Sequence, residues 1–334
     1  MSAEPSATQA EEQAPPPWLI VGVMTAGLVA IGVSPILVRF ASAAPTEPTG
    51  LAVAAWRTLF AVVLLAPWTV GRVWPEVRAW SRRDSMLVVA AGVVLGLHFV
   101  GWIQSLYFTS VASASVLVTS SPIFIAIIGW LVLKERVTLR LGIAIAVAVA
   151  GAALIGLADA GDGTFPQAPL GNALALGAAV LVSVYLLIGR SVRQRASLWA
   201  YALPVYAVGA VTVWACALLA GVELFGHAPG FYGWTLAMAV GPQLVGHSAF
   251  NYAVKVIPAA TLGLLSLTEP IVATALAFAL FGEVPAPLVF VGAAIVLGAV
   301  ASVVARKGSS ARKARNASSA RSVWPRCRAA APIQ

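Results

Sequence analysis

Charge is the scarcest property of this chain. Asp, Glu, Lys and Arg make up 10% of its 334 residues, where soluble domains carry about 25%, and that shortage excludes a water-soluble fold. Cysteine is nearly absent. Cys216 lies in an apolar run and Cys327 in a basic tail, so they are poor disulfide partners, and no Cys/His spacing suits a metal. Only 3 histidines occur, His227 among them in a loop, and no aspartate pair is embedded in the apolar runs. The convergent nucleophile and base of an intramembrane enzyme are therefore not visible. No phosphate-binding P-loop appears, so no ATP-driven engine and no cofactor are expected. Residues 1–17 are polar and Pro-rich, with Glu4, Glu11 and Glu12. They lack the basic start of a cleavable signal and read as a disordered cytoplasmic N-terminus.

Apolar residues fill the space that charge leaves. They make up 60% of the chain, and the mean hydropathy is +0.90. Apolar runs lie at 18–38, 51–70, 86–107, 112–133, 139–157, 170–189, 199–220, 231–254, 259–281 and 286–305. Each suits a helix across a hydrocarbon layer of about 30 Å, where a helix satisfies its own backbone. The weakest division is the short turn from Thr109 to Ser115. The expected fold is all-α and polytopic, with ten transmembrane helices.

The basic residues orient these spans. Of 21 Lys and Arg, all but Arg39 and Arg57 fall in alternate loops (Arg72 to Arg83, Lys134 to Arg140, Arg190 to Arg195, Lys255) or in the tail. The positive-inside rule makes those loops cytoplasmic and puts both termini inside. The net charge of +9 thus reflects topology and not nucleic acid. The tail, 306–334, is rich in Ala, Ser, Arg and Lys. It reads as disordered and attracted to anionic lipid.

The chain also repeats itself. One constant shift places Pro122 on Pro270, Glu135 on Glu283, Ser113 on Thr261 and Trp102 on Phe250. Five spans per half is odd, so the second half must insert upside down. The loop charges agree, since Lys134, Arg136 and Arg140 face Gly282, Val284 and Leu288 in the copy. An inverted repeat with its interface near the midplane is a secondary-transporter architecture. The halves are expected at 18–157 and 170–305.

SPIFIAIIGWLVLKERVTLRLGIAIAVAVAGAALIG and TEPIVATALAFALFGEVPAPLVFVGAAIVLGAVASVV close the two halves. This pattern of Pro, apolar half-helix, Glu and Gly-rich helix resembles the EamA-type transporters of the drug/metabolite transporter superfamily. The likeness spans roughly 18–305 and specifies family better than substrate. It implies an inner-membrane exporter or importer of amino acids, other small metabolites or drugs. It also implies a central cavity between the third, fourth, eighth and ninth spans, with the first, second, sixth and seventh opening and closing it.

Polar residues at membrane depth supply the candidate site. Glu269 sits mid-run, and such residues mark functional sites by default; it could bind a proton or a cationic group. Equally, a protonated Glu269 could donate to the carbonyl of Ser266, which Pro270 leaves without its helical donor. Pro122 and Pro270 read either as paired hinges or broken helices beside the site or as fixed kinks filled by a neighbour. Ser115, Thr119, Ser121, Thr261 and Thr268 could offer hydroxyls to a substrate or return them to their own helix. Gln243, His247 and Asn251 recur at four-residue steps, and His98, Trp102 and Ser105 share a second face. Both faces suit a polar cavity, with Trp102 as a stacking wall, or ordinary interhelical hydrogen bonds. Arg57 could bind a substrate carboxylate or snorkel outward, and Arg39 is expected to snorkel. Tyr185 and Tyr206 fit either role.

The function expected is a secondary transporter exporting a small metabolite, such as an amino acid, by alternating access. Alternatives are multidrug or cation efflux by proton exchange and, further off, a channel, an assembly protein or an intramembrane enzyme. Oligomeric state is not legible.

Overall fold

The computed structural model describes residues 16–46, 48–133, 139–162, 165–257, 259–299 and 301–302. Expectations about the N-terminal segment before residue 16, Glu47, Lys134, Glu135, Arg136 and the basic tail lie outside these residues. So do the side chains of Arg140, Asp159, Asp162 and Thr261.

Every element among the described residues is helical. In order they are α1 (Pro17–Gly32), α2 (Ser34–Ser42), α3 (Gly50–Arg78), α4 (Arg82–Phe108), α5 (Val111–Val118), α6 (Ser121–Leu133) and α7 (Leu139–Asp162). There follow α8 (Ala168–Arg193), α9 (Leu198–Leu219) and α10 (Pro229–Met238), a π-helical segment (Ala239–His247), α11 (Ser248–Ala253), α12 (Ala259–Ser266) and α13 (Glu269–Phe281). The last is α14 (Pro287–Ala299). Pro17 opens α1.

Six stretches are long and apolar enough to cross a membrane: Pro17–Ser42, Gly50–Arg78, Arg82–Phe108, Val111–Ile128, Ala168–Arg193 and Leu198–Leu219. The chain is a multi-pass membrane protein. Several runs expected as single helices are divided. The run at 18–38 breaks at Val33, that at 112–133 at Thr119-Ser120, and that at 259–281 at Leu267-Thr268. The run at 231–254 passes from α to π winding and back. A proline stands at each of these places (Pro35, Pro122, Pro242 and Pro270) and removes an N–H from the ladder, although Pro67, Pro75 and Pro204 lie inside unbroken helices.

Burial is inverted relative to a soluble protein. Trp18, Trp68, Val211 and Leu219 point outward, while Arg57, Asn172, Gln243, Asn251 and Glu269 are buried. In a bilayer the outer shell is hydrocarbon, so apolar groups belong there and polar groups turn inward. α4 lies along α8 and α9, and α3 lies along α9. Small residues allow the close approach: a Cβ on Gly96 would sit 2.8 Å from the carbonyl oxygen of Gly209. A second, smaller core joins α5, α6, α7 and α14 through Leu117, Ile123, Ile155 and Val296.

Polar knots close both ends of the bundle. At one, Arg193 donates from Nε to the carbonyl of Asn251 (3.0 Å) and from Nη1 to that of Ala196. At the other, Arg39 does not snorkel. It donates to the carbonyls of Leu106 (2.7 Å) and Thr109 (3.2 Å) and pairs with Glu283 at 3.4 Å. Glu283 in turn accepts from the backbone N–H of Val111 at 2.6 Å, tying the end of α2 to the α4–α5 junction and the segment after α13.

Candidate functional site

The helix breaks converge on one cavity. Ser34, Ser121 and Glu269 are the first residues of α2, α6 and α13, and each is followed by proline: Pro35, Pro122 and Pro270. Proline in a first turn costs little, because its missing N–H would have no partner there. Pro122 and Pro270 are therefore not mid-helix kinks but the starts of new helices. All three first residues line the cavity. So do Ile31, Val118 and Ser266, which stand four positions before each proline. A carbonyl at that position finds no N–H on the proline. Pro242 and His247 of the π-helical segment complete this ring. The space between these residues, open solvent at its mouth included, is about 690 Å³.

Two of the breaks pack on each other. A Cβ on Gly263 of α12 would lie 2.4 Å from Cγ of Pro122. Only glycine admits that contact, and it sets the α12–α13 break beside the start of α6.

The charged lining residues are Arg57 from α3 and Glu269 from α13. Arg57 is 1% exposed, so it does not snorkel. Its Nε donates to Oε1 of Gln243 at a long 3.4 Å, and its guanidinium lies 4.3 Å from the centre of the Phe99 ring. Its Nη2 has no hydrogen-bond partner. Glu269 is 6% exposed, and among the described residues its carboxyl has no hydrogen bond or ion pair. The donation to Ser266 that its position suggested is not formed; Ser266 Oγ donates instead to the carbonyl of Gly263 at 2.8 Å.

Aromatic and imidazole rings form the wall beside Arg57. His98 Nδ1 lies 2.9 Å from the carbonyl of Ala178 on α8. A carbonyl only accepts, so Nδ1 carries the proton and Nε2 is left as the other ring atom to interact. The His98 and His247 rings meet edge to face at 6.2 Å, and Phe99 meets His247 at 5.0 Å. Trp102 lines the cavity, and its indole Nε1 has no acceptor.

Of the candidates, Arg57, His98, Trp102, Thr119, Ser121, His247 and Glu269 line this space. Gln243 and Asn251 stand behind it. Gln243 holds Arg57. Asn251 Oδ1 accepts from the Tyr185 hydroxyl at 2.5 Å, and its amide donates to the Tyr206 hydroxyl at 3.4 Å. Tyr206 continues to Ser248 Oγ at 3.0 Å. The four-residue spacing thus joins one lining residue to two supporting ones. Ser105 and Thr119 return their hydroxyls to the backbone of their own helices, and Thr268 is exposed and does the same. Ser34, Phe99 and Tyr185 also line the cavity. Ser34-Pro35 carries the same signal as Ser121-Pro122, a polar residue before proline in an apolar run.

Known proteins resemble this chain in sequence and shape. The sequence model of the EamA-like transporter family matches residues 18–157 and 169–305. A Streptantibioticus cattleyicolor protein named a probable terminal-alkyne amino-acid exporter is 31% identical over 190 residues, 56% of this chain. The chain spans 62% of that relative's length. The transporter YwfM of Bacillus subtilis is 27% identical over 263 residues, covering 76% of this chain and 84% of its own. A crystal structure superposes with a TM-score of 0.58 over 84% of this chain and 96% of the other, at 19% identity. At that identity the likeness speaks to fold alone.

Proposed function

The chain belongs to the EamA-like transporter family, and we propose that it is a secondary carrier exporting a small metabolite, an amino acid or related compound, by alternating access. In this reading two halves, 18–157 and 170–305, insert in opposite senses in the cell membrane with both termini cytoplasmic. The ten apolar runs cross it, the broken ones included, and the basic tail meets anionic lipid. The two matches of the family sequence model, at nearly these bounds, support the halves. The alternation of Lys and Arg between loops supports their opposed insertion.

One observation carries the proposal: a cavity with buried, mutually unpaired charge lies where three helices restart. Broken helices at the centre of a bundle present half-helix ends to a ligand, and repeats can rock about such a site. Arg57, His98, Trp102, Ser121, His247 and Glu269 are the proposed substrate contacts. Gln243 and Asn251 act as their supports, and Pro122 and Pro270 as hinges. The amino-acid class draws on the exporter named above, whose substrate belongs to that protein.

Purified protein in proteoliposomes should show saturable counterflow for at least one amino acid. Flux that never saturates would indicate a channel and overturn the carrier reading. A second reading, cation efflux by proton exchange, is favoured by Glu269, the one carboxylate among the described lining residues. It requires that Glu269→Gln abolish proton-driven accumulation while counterflow persists.

A further inference from the structure

We propose that Glu283 is a gating residue of the carrier, a clasp that holds the outer end of the cavity shut and must release before that end can open. This rests on the alternating-access reading, whose topology places the Arg39 end of the bundle outside the cell. Three short helices run from the cavity to that end. α2 begins at Ser34, a lining residue, and carries Arg39 in its last turn. α5 begins at Val111 and ends at Val118, also lining. α13 begins at Glu269 and stops at Phe281, just short of Glu283. It packs on both α2 and α5. The far ends of all three meet in one knot, where Glu283 accepts from Nη2 of Arg39 at 3.4 Å and from the N–H of Val111 at 2.6 Å. Phe165 covers the Arg39 guanidinium at 5.6 Å.

The bonds in this knot divide by which parts of the chain they join. Arg39 reaches the carbonyls of Leu106 and Thr109 within residues 18–157, whereas both Glu283 contacts cross from 170–305 to 18–157. The first set can persist while the halves rock; the second cannot. Val111 opens α5, so its N–H has no partner in its own helix. A carboxylate is favoured at a helix N-terminus, and here the other half of the chain supplies it. Glu283 keeps 16% of its side chain exposed, so water is at hand for the carboxylate on release. The lever is present as well. The helix ladder is interrupted at Leu267-Thr268, before Glu269, and Gly282, at a φ of 66°, ends α13 and turns the chain into the loop that holds Glu283. α13 has 13 residues, roughly 20 Å at about 1.5 Å per residue. A tilt of about 10° at its start moves its far end by roughly 3 Å, enough to take a 2.6 Å bond out of hydrogen-bonding range. The opposite end of the bundle carries a counterpart. The shift that takes Pro122 to Pro270 also takes Thr109 to Ile257. Arg190, placed in the last turn of α8 as Arg39 is in that of α2, donates to the Ile257 carbonyl at 3.3 Å. Arginines in equivalent places thus hold equivalent carbonyls at the two ends, as a carrier that opens to each side in turn requires.

The test follows one thiol in the cavity. Ser34→Cys is made in the full chain with Cys216→Ser and Cys327→Ser, and its labelling by a membrane-impermeant maleimide is timed in intact cells. Glu283→Ala removes both clasp contacts and should speed labelling roughly 10- to 100-fold, the worth of a charge-assisted hydrogen bond read as an open-to-closed ratio. Glu283→Gln keeps an acceptor for the Val111 N–H and should fall between Glu283→Ala and the parent. Ala217→Cys, fully buried in α9 and away from the cavity, reports folding and should stay unlabelled in every background. Labelling at position 34 that is indifferent to Glu283, or that rises together with labelling at position 217, would overturn the clasp. Labelling that appears only once the cells are opened would place this end inside and overturn the topology with it. Amino-acid counterflow is measured in proteoliposomes alongside. If the wild type shows saturable counterflow while Glu283→Ala leaves labelling unchanged, the carrier stands and the clasp falls. If the wild type shows no counterflow, the carrier reading itself falls.

Discussion

The knot around Arg39 and the cavity around Arg57 each hold an arginine and a glutamate, half-buried in the knot and buried in the cavity, and they treat the two charges in opposite ways. In the knot, Arg39 reaches two carbonyls and Glu283, and Glu283 also takes the Val111 N–H. In the cavity, Arg57 reaches one amide oxygen at 3.4 Å and an aromatic face, while Glu269 reaches nothing among the described residues. A polar group whose bonds are met inside the protein contributes to the fold. One left unmet at the wall of a cavity weakens the fold slightly and is available to a ligand. The asymmetry between made and unmade buried hydrogen bonds sets the scale of the difference, about 1–3 kcal/mol per neutral group and more for a charge.

That contrast can be broken by measuring stability and transport in the same variants. Arg39→Met should produce the largest stability loss, about 2–3 kcal/mol, because it removes charged bonds to two carbonyls and leaves the half-buried Glu283 with the Val111 N–H alone. Reversible unfolding in mixed micelles reads it, and an unchanged midpoint would mean that the knot is ornamental. Gly263→Val should follow, at about 1–3 kcal/mol of overpacking against Pro122. It should also reduce counterflow, since the two breaks could no longer sit together. Arg57→Met should change stability least, by less than about 1 kcal/mol in either direction. The lost Phe99 and Gln243 contacts are offset by removing a buried, half-satisfied charge. The same variant should lower counterflow of the amino acid by roughly tenfold or more, the worth of a charged hydrogen bond. If Arg57→Met instead unfolded the protein as readily as Arg39→Met, the distinction between the two regions would collapse.

Much of the cavity could be read in advance, and the misses have identifiable causes. Glu269, Pro122 and Pro270 are conspicuous because polar groups and prolines are rare in apolar runs. Ser34-Pro35 carries the same signal but lies at the end of its run, where a proline looks like an ordinary terminus. Gln243, His247 and Asn251 fit an α-helical stripe. Which of them meets the cavity depends on Arg57 approaching from α3 and on Tyr185 and Tyr206 approaching from α8 and α9. Arg39 resembled a snorkelling residue because its partners lie 67, 70 and 244 residues away.

The membrane class of this protein and the identity of its embedded charges were determined by sequence alone. Prolines alone did not fix where helices restart, since Pro67, Pro75 and Pro204 lie inside unbroken ones. Hydropathy and the missing proline N–H are local properties that no tertiary contact can alter. Tertiary structure decided which arginine is spent on the fold and which is left open, and which three breaks share one cavity. Those outcomes depend on whether a partner from a distant helix comes within hydrogen-bonding reach, and a residue's own neighbours in the chain carry no record of that.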